Sequence, residues 1–142
     1  MKQTITTDKI AVDTNILVYL HEDTATYKSE ISQKIVRGVP ILSSQVISEY
    51  INVLHRLLRA PKTDLINHCL IVTECCTVIG MDHQTVLKAR ELVIRYDFQV
   101  FDSIIVASAL QVGCNILYSE DFQHCMVVEN QLTIINPYLD FQ

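Results

Sequence analysis

The chain has 142 residues, 49% of them hydrophobic, and a formal net charge of −5, which suits one packed domain and is too little for two. All eleven Lys and Arg lie at or before Arg95, whereas Asp97, Asp102, Glu120, Asp121, Glu129 and Asp140 follow it; this argues against binding nucleic acid by bulk attraction. The apolar runs fall short of the ~20 residues a membrane span needs, and Met1-Lys2-Gln3-Thr4 lacks the apolar stretch of a signal peptide. A single domain over residues 1–142 is therefore expected, soluble and cytoplasmic, with no membrane partner.

Residues 9 to 13 read as a first buried strand, and Asp13 or Thr14 can cap the helix suggested by Ile16, Leu17, Val18 and Leu20. After a polar interval at His21 to Thr26, Ile31, Ile35 and Val36 recur at helical spacing up to Gly38. Val39-Pro40-Ile41-Leu42 is a second strand, with Pro40 suited to its start. The next helix, capped by Ser43 or Ser44, carries Val46, Ile47, Tyr50, Ile51, Leu54, Leu57 and Leu58 on one stripe. Glu49 lies about 125° from the centre of that stripe, a position that by periodicity favours plain solvent exposure.

Pro61 opens a helix from Lys62 to about Cys75, with Leu65, Cys69 and Val72 on one face, and Thr77-Val78-Ile79 is a third strand. A capped helix from Asp82 to Tyr96 turns Val86, Ala89, Val93 and Tyr96 inward and Lys88, Glu91 and Arg95 outward. Asp102 then precedes a helix over 103–110 that is apolar nearly all round, ended by Gly113. Residues 115–118 form a fourth strand and 132–135 a fifth. Strands alternating with crossover helices predict an α/β three-layer sandwich, a central parallel sheet of about five strands flanked by helices.

Five cysteines, Cys69, Cys75, Cys76, Cys114 and Cys125, are odd in number and contain no C-x-x-C pair, so neither a disulfide framework nor a zinc ribbon is indicated. A soft metal site from Cys114, His124 and Cys125 would lack a fourth ligand; packing residues in a reducing compartment are the better reading.

Four acids fall at one sheet edge in this scheme. Asp13 ends the first strand, Glu49 lies one to two turns into the helix after the second, Asp102 heads the helix leading into the fourth, and Asp121 follows the fourth. Ligands bind beyond the carboxyl ends of parallel strands. Gathered carboxylates repel and raise one another's pKa unless a cation offsets them, and an all-oxygen set suits Mg²⁺ or Mn²⁺ acting on phosphate substrates. The reaction class implied is phosphodiester hydrolysis by cation-activated water. No G-x-x-x-x-G-K-[ST], G-x-G-x-x-G or H-E-x-x-H motif is present. Asn15 stands where an Asp-nucleophile phosphatase has its second acid, and no adjacent acids precede Asp13 as a phospho-acceptor domain requires.

Val12-Asp13-Thr14-Asn15, Ser48-Glu49-Tyr50, Phe101-Asp102-Ser103-Ile104-Ile105-Val106-Ala107-Ser108-Ala109 and Leu117-Tyr118-Ser119-Glu120-Asp121-Phe122-Gln123-His124, closing on Ile135-Asn136-Pro137-Tyr138, together resemble the PIN-domain superfamily, most closely its VapC-type toxin ribonucleases. The resemblance spans nearly the whole chain in order. It implies a Mg²⁺- or Mn²⁺-dependent endoribonuclease that is the toxin of a type II toxin–antitoxin system, held by a cognate antitoxin and homodimeric. It also implies that Asp13, Glu49, Asp102 and Asp121 bind metal and catalyse, with Thr14, Asn15 and Ser119 as polar support. Two positions depart from the close relatives: Cys125 stands where Gly is common, and Phe101 where Trp is.

The best basic patch for RNA is Arg56, Arg59 and Lys62, for which a solvated helix end is the competing reading. A catalytically silent PIN-like binding or scaffold protein is the alternative function, and a DNA-directed nuclease a lesser variant, since no residue distinguishes the two backbones.

Overall fold

A computed structural model describes residues 7–21 and 26–139; the N-terminal Met1-Lys2-Gln3-Thr4, most of the polar interval before Thr26, and Asp140 lie outside the described residues. In chain order the elements are β1 (Ile10–Val12), α1 (Thr14–Val18), a 3₁₀ turn (Tyr19–His21), α2 (Tyr27–Arg37), β2 (Ile41–Ser43), α3 (Ser44–Leu58), α4 (Lys62–Glu74), β3 (Thr77–Ile79), α5 (His83–Tyr96), α6 (Val100–Gln111), β4 (Ile116–Tyr118), β5 (Met126–Val128) and β6 (Leu132–Ile135). The strands form one sheet in the order β3-β2-β1-β4-β6-β5, parallel except for β5.

Side chains alternate faces along a strand, so consecutive buried residues mean that both faces are covered. Ala11 and Val12 in β1, and Ile41 and Leu42 in β2, are buried in succession. The sheet is therefore the middle of three layers. Its core continues into Leu117, Ile134, Val46, Tyr50, Leu54 and Leu92, all inaccessible to solvent; burying one such aliphatic side chain contributes about 1.5–3 kcal/mol. The predicted all-round apolar helix is α6, in which Ser103 and every residue from Ile105 to Leu110 is buried.

The connectivity creates the crevice. From β1 the chain steps outward through β2 to β3, then returns to place β4 on the other side of β1. That reversal puts a topological switch point between β1 and β4, where diverging loops leave a gap beyond the carboxyl ends. Val12 pairs with Tyr118, and Tyr118 with Ile135, so Asp13, Ser119 and Asn136 leave the sheet side by side.

Several local expectations shift. The sheet gains β5, which pairs antiparallel with β6 through a three-residue connection, Glu129 to Gln131, whose Glu129 and Asn130 are both at positive φ (55° and 54°) without the usual glycine. β2 begins at Ile41 rather than Val39, because Val39 has φ 54°, a conformation incompatible with a strand. Gly38 closes α2 at φ −79°, so the left-handed residue after the helix is Val39. α6 starts at Val100, making Asp102 its third residue instead of its forerunner. On α5 the buried residues are Thr85, Ala89 and Leu92, while Val86 is exposed. Leu57 likewise faces solvent at the end of the α3 stripe, where Leu58 instead packs against the core.

Candidate active site

Asp13 follows β1 and is the N-cap of α1, an extended residue whose Oδ1 accepts from the Thr14 amide at 2.7 Å. Its Oδ2 accepts from the Ser119 hydroxyl at 2.6 Å. Ser119 is fully buried, and its Oγ in turn accepts from the Asp121 amide at 3.1 Å. One hydroxyl thus joins the residue after β1 to the loop after β4. Asn15, two residues beyond Asp13, donates from Nδ2 to Asp121 Oδ2 at 3.0 Å. Its Oδ1 is buried with no hydrogen-bond partner.

Glu49 is half-buried on α3 and accepts from Thr14 Oγ1 at 2.7 Å and from Gln45 Nε2 at 3.3 Å. Periodicity favoured plain exposure for it; contact with α1 draws it toward Asp13 instead. Gln45 was not singled out from the sequence, although its position four residues before Glu49 puts the two on one helix face. Asp102, in the first turn of α6, is half-buried. Among the described residues none donates a hydrogen bond to its carboxylate. The helix N-terminus still favours negative charge there.

The electrostatics tie the four acids together. Burial pushes the Asp13 carboxyl up from its ordinary 3.8 to about 6; the hydrogen bonds from Ser119 and Thr14 oppose this, and the charges of Asp121 and Asp102 add to it. Burial also raises Asp102, reinforced by the charges of Glu49 and Asp121. Each acid is therefore within electrostatic reach of at least one other, and Asp102 of the other three. Thr14, Asn15 and Ser119 all touch one of them.

The loops behind the site are braced by groups that sequence reasoning overlooked. Phe98, ahead of α6, stacks on Tyr96 at 5.4 Å between centroids and meets Phe122, after Asp121, edge-on at 5.3 Å. Glu120 accepts from the Tyr19 hydroxyl and from Lys28 Nζ, the latter at 3.1 Å. Lys28 lies over the Tyr19 and Tyr138 rings, 4.7 and 5.3 Å from their centroids. Cys125 takes φ 66°, a left-handed conformation otherwise left mostly to glycine.

Other sequence candidates lie elsewhere. Arg56, Arg59 and Lys62 are exposed around the end of α3 and the start of α4 and contact none of the four acids. Arg56, seven residues after Glu49, projects at nearly the same angle about 10 Å farther along α3. Cys114 is buried, Cys125 is exposed, and His124 Nδ1 accepts from the Asn136 amide at 3.0 Å; these three build no soft metal centre. Among the described residues no three His, Cys, Asp or Glu side chains close on a single point, and no described helix is long and apolar enough to cross a membrane.

The fold is similar to that of several solved structures. The VapC20 Sarcin-Ricin loop cleaving toxin of Mycobacterium tuberculosis superimposes with a TM-score of 0.63 at 19% identity, over 80% of this chain and 91% of that one. A toxin–antitoxin complex from Klebsiella pneumoniae gives 0.68 at 16% identity, over 91% and 98%. FitAcB from Neisseria gonorrhoeae gives 0.65 at 15%, over 92% and 99%. No curated protein sequence matches the chain. The PIN domain family model matches residues 10–128, a span that runs from β1 to the end of β5 and takes in all four acids. The chain therefore belongs to the PIN domain family.

Proposed function

We propose that the chain is a Mg²⁺-dependent endoribonuclease, with Mn²⁺ as a substitute ion, acting as the toxin of a type II toxin–antitoxin system. The observation that carries the reading is the gathering of Asp13, Glu49, Asp102 and Asp121 at the switch-point crevice, with Asp13 raised by burial and by its acidic neighbours. Such a cluster is unfavourable unless a cation completes it. The donor set fits a hard divalent ion: every candidate ligand is a carboxylate oxygen, and Asn15 Oδ1 is a further buried oxygen with no partner. Mg²⁺ takes only one or two carboxylates directly and keeps several waters, so a site without a closed three-ligand cage matches its preferences.

Asp13, Glu49, Asp102 and Asp121 would hold the ion, which when bound supplies Lewis acidity toward a phosphodiester and lowers the pKa of water. Ser119 and Thr14 fix the Asp13 carboxylate by hydrogen bonds of 2.6 and 2.7 Å. Asn15 donates to one oxygen of the exposed Asp121, and Thr14 and Gln45 fix the two oxygens of Glu49. The chain's own contribution is thus positioning and charge, the terms that dominate phosphoryl chemistry. Arg56, Arg59 and Lys62 would hold substrate phosphates away from the cut, since among the described residues they are in no ion pair.

The fold likeness to a toxin–antitoxin complex supports a cognate antitoxin as partner; the homodimer follows from the family resemblance alone. The test is cleavage of single-stranded RNA by the purified chain under titration with Mg²⁺, repeated with EDTA and with single-stranded DNA. Cleavage of RNA that follows Mg²⁺ and stops with EDTA is expected. A chain that neither cleaves RNA nor binds Mn²⁺ calorimetrically would instead be the non-catalytic binding module. Co-purification with the product of a small neighbouring reading frame, and a dimer by sedimentation, would test the partners.

A further inference from the structure

We infer that His21 is an acid-sensitive latch: as a neutral imidazole it ties the turn after α1 to α3 through the Tyr50 hydroxyl, and a proton on the ring unties them. The latch stands apart from the four acids. Its effect on cleavage rests on the ribonuclease reading, whereas the latch itself does not.

Tyr50 is inaccessible to solvent, and a buried hydroxyl needs a partner. Among the described residues its one hydrogen-bond partner is His21 Nε2. Burial, with the charges of Cys69 and Cys76 adding to it, holds the phenol above its ordinary value, so Tyr50 keeps its proton and has it to donate. Nε2 must then present a lone pair, which only the neutral imidazole has. A protonated ring would donate in its turn, and the phenol proton would be left with no acceptor among the described residues.

A turn and two helices meet at this point. The His21 ring lies 5.6 Å from the Tyr50 ring on α3 and 6.1 Å, edge-on, from the His68 ring on α4. Burial pushes His21 below its ordinary 6.5, and the charge of His68 pushes the same way. No other described group acts on it by charge. Cys69 and Cys76 bear on Tyr50 instead, Lys28 of α2 is paired with Glu120, and Asp64 lines, with His68, an open cavity of about 280 Å³ beside α4. Two charged histidines would therefore repel with no described carboxylate to offset them, and the cavity gives the His68 ring room to part.

The tie reaches the acids through α1. That helix has five residues, too few to hold its shape alone, and it brings Thr14 to Glu49 and Asn15 to Asp121. The turn continuing it carries Tyr19, whose hydroxyl holds Glu120. Tyr50 directly follows Glu49 on α3. Untying His21 thus frees the far end of the element that aligns two of the acids.

Because the folded pKa lies below the unfolded one, the latch stabilises fully above about 6.5 and is lost as pH falls toward the folded value. Long-range ¹⁵N NMR of the imidazoles reads it without turnover, and should show His21 as the Nδ1–H tautomer at pH 7.5, titrating below 6.5. Opening takes up one proton, so exchange of the Tyr19 amide, corrected for its intrinsic rate, should quicken roughly tenfold per pH unit between the two pKa values. His21→Gln, whose amide oxygen accepts from Tyr50 at every pH, should lose that dependence and keep a larger share of its pH 7.5 cleavage at pH 5.5 than wild type does. An Nε2–H tautomer at neutral pH, a His21 pKa at or above 6.5, or the same acid response in wild type and His21→Gln would overturn the inference. The first two outcomes need only the wild-type chain. A latch that titrates as expected in a chain inert toward RNA would support the inference and count against the ribonuclease reading alone.

Discussion

Replacing Asp13 by Asn should make the protein more stable at neutral pH while abolishing its chemistry. The carboxyl is 2% exposed and its pKa rises from 3.8 to about 6 on folding. A folded-state pKa above the unfolded one means that the folded chain retains a proton which the unfolded chain releases as pH climbs from about 4 to 6. Stability therefore falls through that window and stays lower above it. The rise corresponds to about 3 kcal/mol. Asn is uncharged at every pH and nearly isosteric, but its amide matches the donors of Ser119 and Thr14 less well, a loss of about 1 kcal/mol. In metal-free buffer at pH 7, Asp13→Asn should thus gain about 1–3 kcal/mol in urea denaturation, or several degrees in Tm. The gap should close at pH 4, and millimolar Mg²⁺ should narrow it by stabilising only the wild type. A variant less stable than wild type at pH 7, or a gap identical at pH 4 and 7, would refute the claim that folding holds Asp13 at a cost.

Other consequences are smaller. Cys125→Gly should relieve the left-handed backbone at φ 66° and raise stability by roughly 1 kcal/mol, seen in thermal melts; an unchanged Tm would mean that the position carries no strain. Lys28→Met should leave Glu120, beside Asp121, with the Tyr19 hydroxyl but no ion pair, and lower both stability, by about 1 kcal/mol, and RNA cleavage; unaltered cleavage would show that the brace is unrelated to the site. Replacing Arg56, Arg59 and Lys62 together by Ala should flatten the salt dependence of RNA binding by up to about two in log–log slope, measured by fluorescence anisotropy; an unchanged slope would remove the patch from the interface.

The larger features were readable because periodic burial determines them. The stripe on α4 through Leu65, Cys69 and Val72 and the all-round burial of α6 follow from apolar spacing alone, and alternating strands and helices implied the parallel sheet. β5 escaped notice because three residues, Met126–Val128, are too few to show alternation, and its turn uses Glu129 and Asn130 at positive φ without a glycine. Val86 was placed inward although α5 buries Thr85, Ala89 and Leu92; the burial of Thr85, which caps the helix with Asp82, is decided by hydrogen bonds that hydrophobicity does not register. Glu49 shows the limit most clearly. Its angle on α3 describes one helix, whereas its half-burial comes from Thr14 on another, and contacts between elements are not encoded in the period of either. The bracing of the loops by Phe98, Phe122 and Lys28 was hidden for the same reason.

If the clustered acids perform metal-dependent cleavage of RNA, removing the charge of one of them must stop it. The most direct measurement compares wild type with Asp102→Asn in Mg²⁺-supplemented RNA cleavage, with circular dichroism of both proteins to verify the fold. Asp102 accepts no hydrogen bond from any described residue, so the substitution removes charge from the cluster without breaking a structural contact. A folded variant whose cleavage is lost is expected. A folded Asp102→Asn protein that cleaves RNA at the wild-type rate would contradict it.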